Sequence, residues 1–136
     1  MAEVKVFVAN DTGSYATTVH TETGNHRFIS DEPESNNGTN KGPEPFSLLL
    51  ASLGSCTTIT LRMYADRKEW PLEKTEIDLH LKTENRNGQF QTFIFMNVQF
   101  HGPLTEEQKI RLLEIANACP IHKMLSHPIH IRTNAD

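Results

Sequence analysis

Phe46-Ser-Leu-Leu-Leu-Ala-Ser-Leu-Gly-Ser-Cys-Thr-Thr-Ile-Thr-Leu61 carries no charged side chain and no proline. At 100° per residue its apolar and small residues, Leu48, Leu49, Leu53, Cys56, Ile59 and Met63 among them, point in nearly every direction around a helix axis. A helix of that kind has to be enclosed on all sides. The polar run Arg62, Asp66, Arg67, Lys68 and Glu69 marks where it emerges into water, and Trp70-Pro71 ends it, so a long buried helix is expected over 46–68. The charge-free run from Pro45 to Leu61 is short for a membrane span and is diluted by Gly54 and several Ser and Thr.

The chain around this helix has 136 residues, enough for one domain with a small core. A single domain over 1–136 is therefore expected, and one such subunit would struggle to cover the helix alone. With 37% hydrophobic and 22% charged residues the composition is globular. A net charge of −4 without a Lys/Arg cluster offers no footprint for nucleic acid or an anionic membrane, and neither partner is expected. The opening Met-Ala-Glu-Val-Lys-Val-Phe-Val-Ala alternates like a strand and lacks the regions of a signal peptide, which predicts a cytoplasmic location.

Upstream of the helix, Val4 to Val8, Tyr15 to Val19 and His26 to Ile29 read as a small antiparallel sheet, with Thr23-Gly24-Asn25 as a turn. Asp31 to Pro45 is rich in Glu, Asn, Gly and Pro, a long connection that can bury little. Downstream, Lys74 to Lys82 and Phe90 to Phe100 alternate on either side of a turn at Asn85-Arg-Asn-Gly88 and form a hairpin. Thr105 and Gln108 make a capping box for a helix whose apolar face comprises Ile110, Leu113, Ile115 and Ala116. Pro120 fits the first position of a short helix with Cys119 at its N-cap, and His127 to Arg132 reads as a last strand. The order of elements is α+β.

Cys56 and Cys119 are the only cysteines, too far apart in sequence for a local Cys-x-x-Cys unit. In a reducing compartment they read as free core thiols, metal ligands or redox catalysts. A disulfide needs Cα atoms within about 7 Å, which the fold must decide. By local chemistry Cys56, mid-helix among apolar neighbours, is an inert packing thiol, whereas Cys119 at a helix start is the more acidic of the two. Zinc is disfavoured: Cys119 and His122 supply one Cys-x2-His pair, and His127 and His130 do not complete a set of paired short spacings. No GxGxxG, Walker loop, GxSxG or HExxH motif occurs, so no nucleotide cofactor, serine nucleophile or metal is indicated. Glu32, Glu34 and Glu44 lie in the long connection, where acidic residues are ordinarily solvated.

Gly42-Pro-Glu-Pro-Phe-Ser-Leu-Leu-Leu-Ala-Ser-Leu-Gly-Ser-Cys-Thr57, with Ala118-Cys-Pro-Ile-His-Lys-Met-Leu125 downstream, resembles the OsmC/Ohr family of organic hydroperoxide reductases. Asp31-Glu-Pro33 is similar to one branch of OsmC-like proteins. The resemblance implies an OsmC-like fold in which antiparallel sheets pack around long central helices of an intertwined homodimer. It implies a peroxidase in which Cys56 is the peroxidatic thiol, Cys119 resolves it, organic hydroperoxide is the substrate and an external dithiol is the reductant. It also implies an arginine that lowers the pKa of the first thiol and a glutamate that holds the arginine. By position these are Arg27, the only arginine in the N-terminal sheet, and Glu44. The match departs where the family has its acid at the helix entry, since Phe46 and Ser47 follow Pro45 here. An OsmC-like small-molecule binding or interaction protein with little turnover is the other reading.

Overall fold

Pro45 opens the long helix at its first turn, where a missing N–H removes no hydrogen bond. In the computed structural model, which describes residues 3–136, this helix, α1, spans Pro45–Lys68. It ends where Glu69 takes a left-handed conformation (φ 56°) and the Trp70 N–H closes on the Ala65 carbonyl at 2.9 Å, just before Pro71. The chain divides into two compact units, one up to Leu49 and the other Leu50–Asp136.

The first unit contains three strands in the order β1(Val6–Asn10), β2(Thr17–Thr21), β3(Arg27–Ser30), all antiparallel. Val8 faces Val19, and Val19 faces Phe28. Val19 is buried, yet Val6, Phe7 and Val8 are more than half exposed, so the sheet has little core of its own within the subunit.

The connection after β3 differs from its expected character. Its polar composition conceals a folded loop built on the buried carboxylate of Asp31, which accepts from the Thr39 hydroxyl and from the backbone N–H groups of Lys41 (3.1 Å) and Glu32 (2.8 Å). The Asp31 N–H and the Ser30 hydroxyl both donate to the Pro43 carbonyl, and a side chain at Gly42 would fall on the Ile29 carbonyl oxygen. The Thr39 hydroxyl, opposed by burial and assisted by the N–H donors, holds the Asp31 carboxyl below its ordinary value of 3.8. Because the folded value is depressed, this stabilisation is present above pH 3.8 and is lost as pH falls through the folded pKa. Asp31→Ala is expected to open the loop at neutral pH, read as faster tryptic cleavage after Lys41; an unchanged cleavage rate would remove Asp31 as the organiser.

In the second unit β4(Lys74–Arg86) and β5(Gln89–His101) form a two-stranded antiparallel ribbon, 13 residues each. The turn is narrower than the sequence suggests. Asn85 and Arg86 stay in register with Phe90 and Gln89, leaving Asn87-Gly88, both at positive φ, as a two-residue hairpin loop. One stripe of α1, Leu53, Thr57, Leu61 and Ala65, is buried, and Gly54 allows close approach to β4: a Cβ there would meet Leu79 Cδ1 at 2.9 Å. The core gathers Leu61, Ala65, Leu72, Leu112 and Ala116, flanked by Tyr64, Trp70, Val98 and Phe100.

The capping box of Thr105 and Gln108 opens α2(Glu106–Ala116) with both reciprocal bonds present, at 3.1 and 3.0 Å. Its buried face agrees with the expected one at Ala116, which is enclosed, and at Ile115, which packs against the core, and corrects it elsewhere: Leu112 is enclosed, while Ile110 and Leu113 are 61% and 53% exposed. The short helix α3(Pro120–Leu125) follows with Cys119 as N-cap. No strand forms from His127 to Arg132. Ile129 and Ile131 are exposed there, since an alternating segment without a hydrogen-bonding neighbour has nothing to hold it as a strand.

Candidate functional site

Thr57 is where helix and thiols meet. It belongs to the buried stripe of α1, and its hydroxyl lies 2.8 Å from the Leu53 carbonyl, 3.5 Å from Cys119 Sγ and 4.0 Å from Met96 Sδ. One hydroxyl proton therefore has two destinations: the carbonyl one turn back while Cys119 is protonated, and the sulfur once Cys119 is an anion. Cys119 is fully buried. Its extended backbone (φ −67°, ψ 145°) and Pro120 at the first helical position put Sγ where it accepts the His122 N–H at 3.2 Å.

Cys56, the neighbour of Thr57, is half-buried, and its thiol lies near enough to Cys119 for each to perturb the ionisation of the other. The fold thus brings together two cysteines that are distant in sequence. Their acidities diverge. Burial pushes the Cys56 thiol up from the ordinary 9.0, an N–H of Ile121 opposes this, and the Cys119 sulfur beside it adds to the rise; Thr60 lowers it slightly. Burial also disfavours a Cys119 thiolate, but donation from Thr57, the His122 N–H, the Cys56 thiol and the Ile121 N–H together outweigh it, and Cys119 lies below the ordinary value. The order of acidity is the one local chemistry anticipates.

Two cavities are lined by residues close in sequence to the cysteines, though by neither cysteine itself. One of about 340 Å³ is lined by Leu53, Ile94, Met96, His122 and Leu125, between α1, β5 and α3. The other, about 740 Å³ and largely apolar, runs from Thr60 past Met63 and Tyr64 to Ile115, Ala118 and Pro120. Thr60 is within hydrogen-bonding reach of Cys56. Thr57 and Thr60 stand beside the thiols, and the motif reading passed over both. Their only signal in the sequence is that they share helix turns with Cys56, and the contacts of Thr57 come from packing against Met96 and Cys119, more than thirty positions away.

The remaining anticipated residues lie in the first unit. Arg27 is exposed at the start of β3. The Glu44 carboxylate accepts from the Ser47 hydroxyl at 3.2 Å, and its carbonyl accepts the Leu48 N–H, so it serves the entry of α1. Among the described residues Arg27 and Glu44 form no ion pair with each other. His127, at the end of α3, has Nδ1 2.6 Å from the Lys123 carbonyl.

A family described as OsmC-like protein matches residues 38–134. No curated protein matches the sequence. Among solved structures, an OsmC-like protein from Mycoplasma pneumoniae superposes with a TM-score of 0.77 at 20% identity, covering 92% of this chain and 88% of that one. The organic hydroperoxide resistance protein OhrB of Bacillus subtilis gives 0.64 at 21% identity, covering 90% of each chain. The organic hydroperoxide resistance protein OsmC from Legionella pneumophila gives 0.70 at 16% identity, covering 92% and 90%. At these identities the likeness is one of fold.

Proposed function

This chain belongs to the OsmC-like protein family, and from that membership and its thiol pair we propose that it is a thiol-dependent peroxidase for organic hydroperoxides. The observation that carries the reading is that Cys56 and Cys119, distant in sequence, lie close enough for each to perturb the ionisation of the other. The names of the Bacillus and Legionella structures, both organic hydroperoxide resistance proteins, favour this substrate class. In this reading residues 1–136 act as one OsmC-like domain within a cytoplasmic homodimer.

The Cys56 thiolate attacks the hydroperoxide O–O bond, an S–O bond forms, and the alkoxide leaves as alcohol after taking a proton. Cys56 is then a sulfenic acid. The neighbouring Cys119 sulfur attacks the Cys56 sulfur and expels hydroxide, which leaves as water, and a Cys56–Cys119 disulfide results. An external dithiol restores both thiols. Cys56 is the attacking thiol because it is the half-open one; Cys119 is enclosed and out of reach of a bulky peroxide. The apolar 740 Å³ cavity beside Thr60 suits an alkyl or aryl peroxide better than hydrogen peroxide.

Intact mass after one equivalent of cumene hydroperoxide tests the function. Loss of two hydrogens per chain is the expected result, and an unchanged mass would reject the peroxidase. The raised pKa of Cys56 and the neutral Phe46 and Ser47 favour the second reading, a small-molecule binding or interaction protein of the same fold with little turnover.

Cys56 needs a positive charge to ionise at neutral pH, since its surroundings in the subunit raise its pKa. Arg27, oriented by Glu44, is the proposed source. Arg27→Met is expected to slow the peroxide reaction at pH 7 by about tenfold, one pKa unit's worth of thiolate, with recovery only at pH above 9.0, since the thiol already lies above that ordinary value. Ser47→Glu, restoring an acid at the helix entry, is expected to speed it. An unchanged thiol titration in Arg27→Met would move the role to another group, such as Arg62.

A further inference from the structure

The two sulfurs of the oxidised pair are not equivalent targets for a reductant. In thiol–disulfide exchange the attacking thiolate approaches along the S–S axis from behind the sulfur it strikes, and the rate rises as the departing thiolate becomes more stable. Cys119 is enclosed, and the surroundings of its sulfur are occupied by the Thr57 hydroxyl at 3.5 Å and the His122 N–H at 3.2 Å. Cys56 is only partly buried on α1, one turn before Thr60, which lines the 740 Å³ cavity.

Access and leaving-group stability therefore favour the same direction. We infer that the external dithiol attacks the Cys56 sulfur, and that Cys119 departs as a thiolate received by Thr57 and the His122 N–H. A bond forms between one reductant sulfur and Cys56 while the Cys56–Cys119 bond breaks with its electron pair on Cys119. The second reductant thiol then displaces Cys56 from the mixed disulfide. The reductant ends as its own disulfide, and the two protons it gives up restore Cys56 and Cys119 as thiols. Thr57 is a positioning residue in this step: its hydroxyl turns from the Leu53 carbonyl to the new anion. The lowered pKa of Cys119 agrees with that role.

The inference rests on the two-cysteine peroxidase reading, but its test is separable, because diamide makes the disulfide without any peroxide. The oxidised protein is mixed briefly with excess 2-mercaptoethanol, quenched with acid, alkylated with N-ethylmaleimide and mapped by peptide mass spectrometry. The expected product carries mercaptoethanol on Cys56 and maleimide on Cys119, at about tenfold or more over the reverse pattern. The reverse pattern, an even mixture, or failure of diamide to join the two cysteines would each overturn the inference. Thr57→Val, which keeps the shape of the buried side chain, is expected to slow reduction of the disulfide by dithiothreitol at pH 7 by about threefold to tenfold through a poorer leaving group, with the labelling pattern retained. An unchanged rate would overturn the part given to Thr57. A protein that passes these tests yet loses no hydrogens with cumene hydroperoxide would keep the exchange direction and lose the peroxidase.

Discussion

Cys119→Ser, treated with one equivalent of cumene hydroperoxide, is expected to accumulate a sulfenic acid on Cys56 that dimedone traps, and to stop after a single turnover. Cys56→Ser is expected to lose the fast reaction by about a thousandfold or more, the scale on which removing a nucleophile acts. The asymmetry follows from access, not from acidity. Cys119 is the more acidic sulfur in the subunit, but it is wholly enclosed and its lone pairs already face Thr57 and the His122 N–H. Cys56 is half-open and lies beside a cavity large enough for an aryl peroxide. A thiolate that cannot meet the peroxide does not react, however much of it is present. The measurement is dimedone labelling read by peptide mass, with stopped-flow rates for both variants. Equal labelling would give the two thiols interchangeable roles, and labelling confined to Cys119 would make acidity the deciding quantity.

The same contrast explains what the sequence disclosed. Local signals were legible. Pro45 and Trp70-Pro71 bracket α1, the Thr105–Gln108 box opens α2, and Pro120 makes Cys119 an N-cap, each depending on residues a few positions apart. Misreadings came where the deciding neighbour is distant. Asn85 and Arg86 have turn chemistry but stay in the ladder because Phe90 and Gln89 lie opposite. The helical period places apolar residues of α2 on more than one face, and only packing selects Leu112 and Ala116 over Ile110 and Leu113. Asp31 looks like one more acid in a polar stretch until Thr39 and Lys41 fold back on its carboxylate. At the site, both cysteines stand out by their motifs, whereas the meeting of Thr57 with Cys119 is a tertiary fact.

The protein is expected to be an obligate dimer whose unfolding midpoint rises with concentration. A helix apolar or small on every side needs cover, and α1 receives it on one stripe only: Leu53, Thr57, Leu61 and Ala65 are buried, while Ile59 and Met63 are 57% and 67% exposed. The N-terminal sheet is similarly bare at Val6, Phe7 and Val8, and Phe95 on β5 is 55% exposed. Soluble monomers rarely leave that much apolar surface to water. By length and hydropathy α1 also meets the requirement for a bilayer span, with 22% of its most apolar window buried, so two environments compete for the uncovered face. A second copy of the chain is favoured because Ser55, Thr58 and Thr60 interrupt the face with small and polar groups that suit close packing against protein. In a two-fold dimer each substitution acts twice. Met63→Glu is therefore expected to weaken association by about 4 kcal/mol, two contacts at about 2 kcal/mol each, or roughly a thousandfold in Kd. Sedimentation equilibrium and thermal unfolding across a concentration series read both quantities, the midpoint rising with protein concentration because only the folded dimer binds its partner. A stable folded monomer at low micromolar concentration, or partition of the wild-type chain into lipid vesicles in preference to self-association, would reject the dimer.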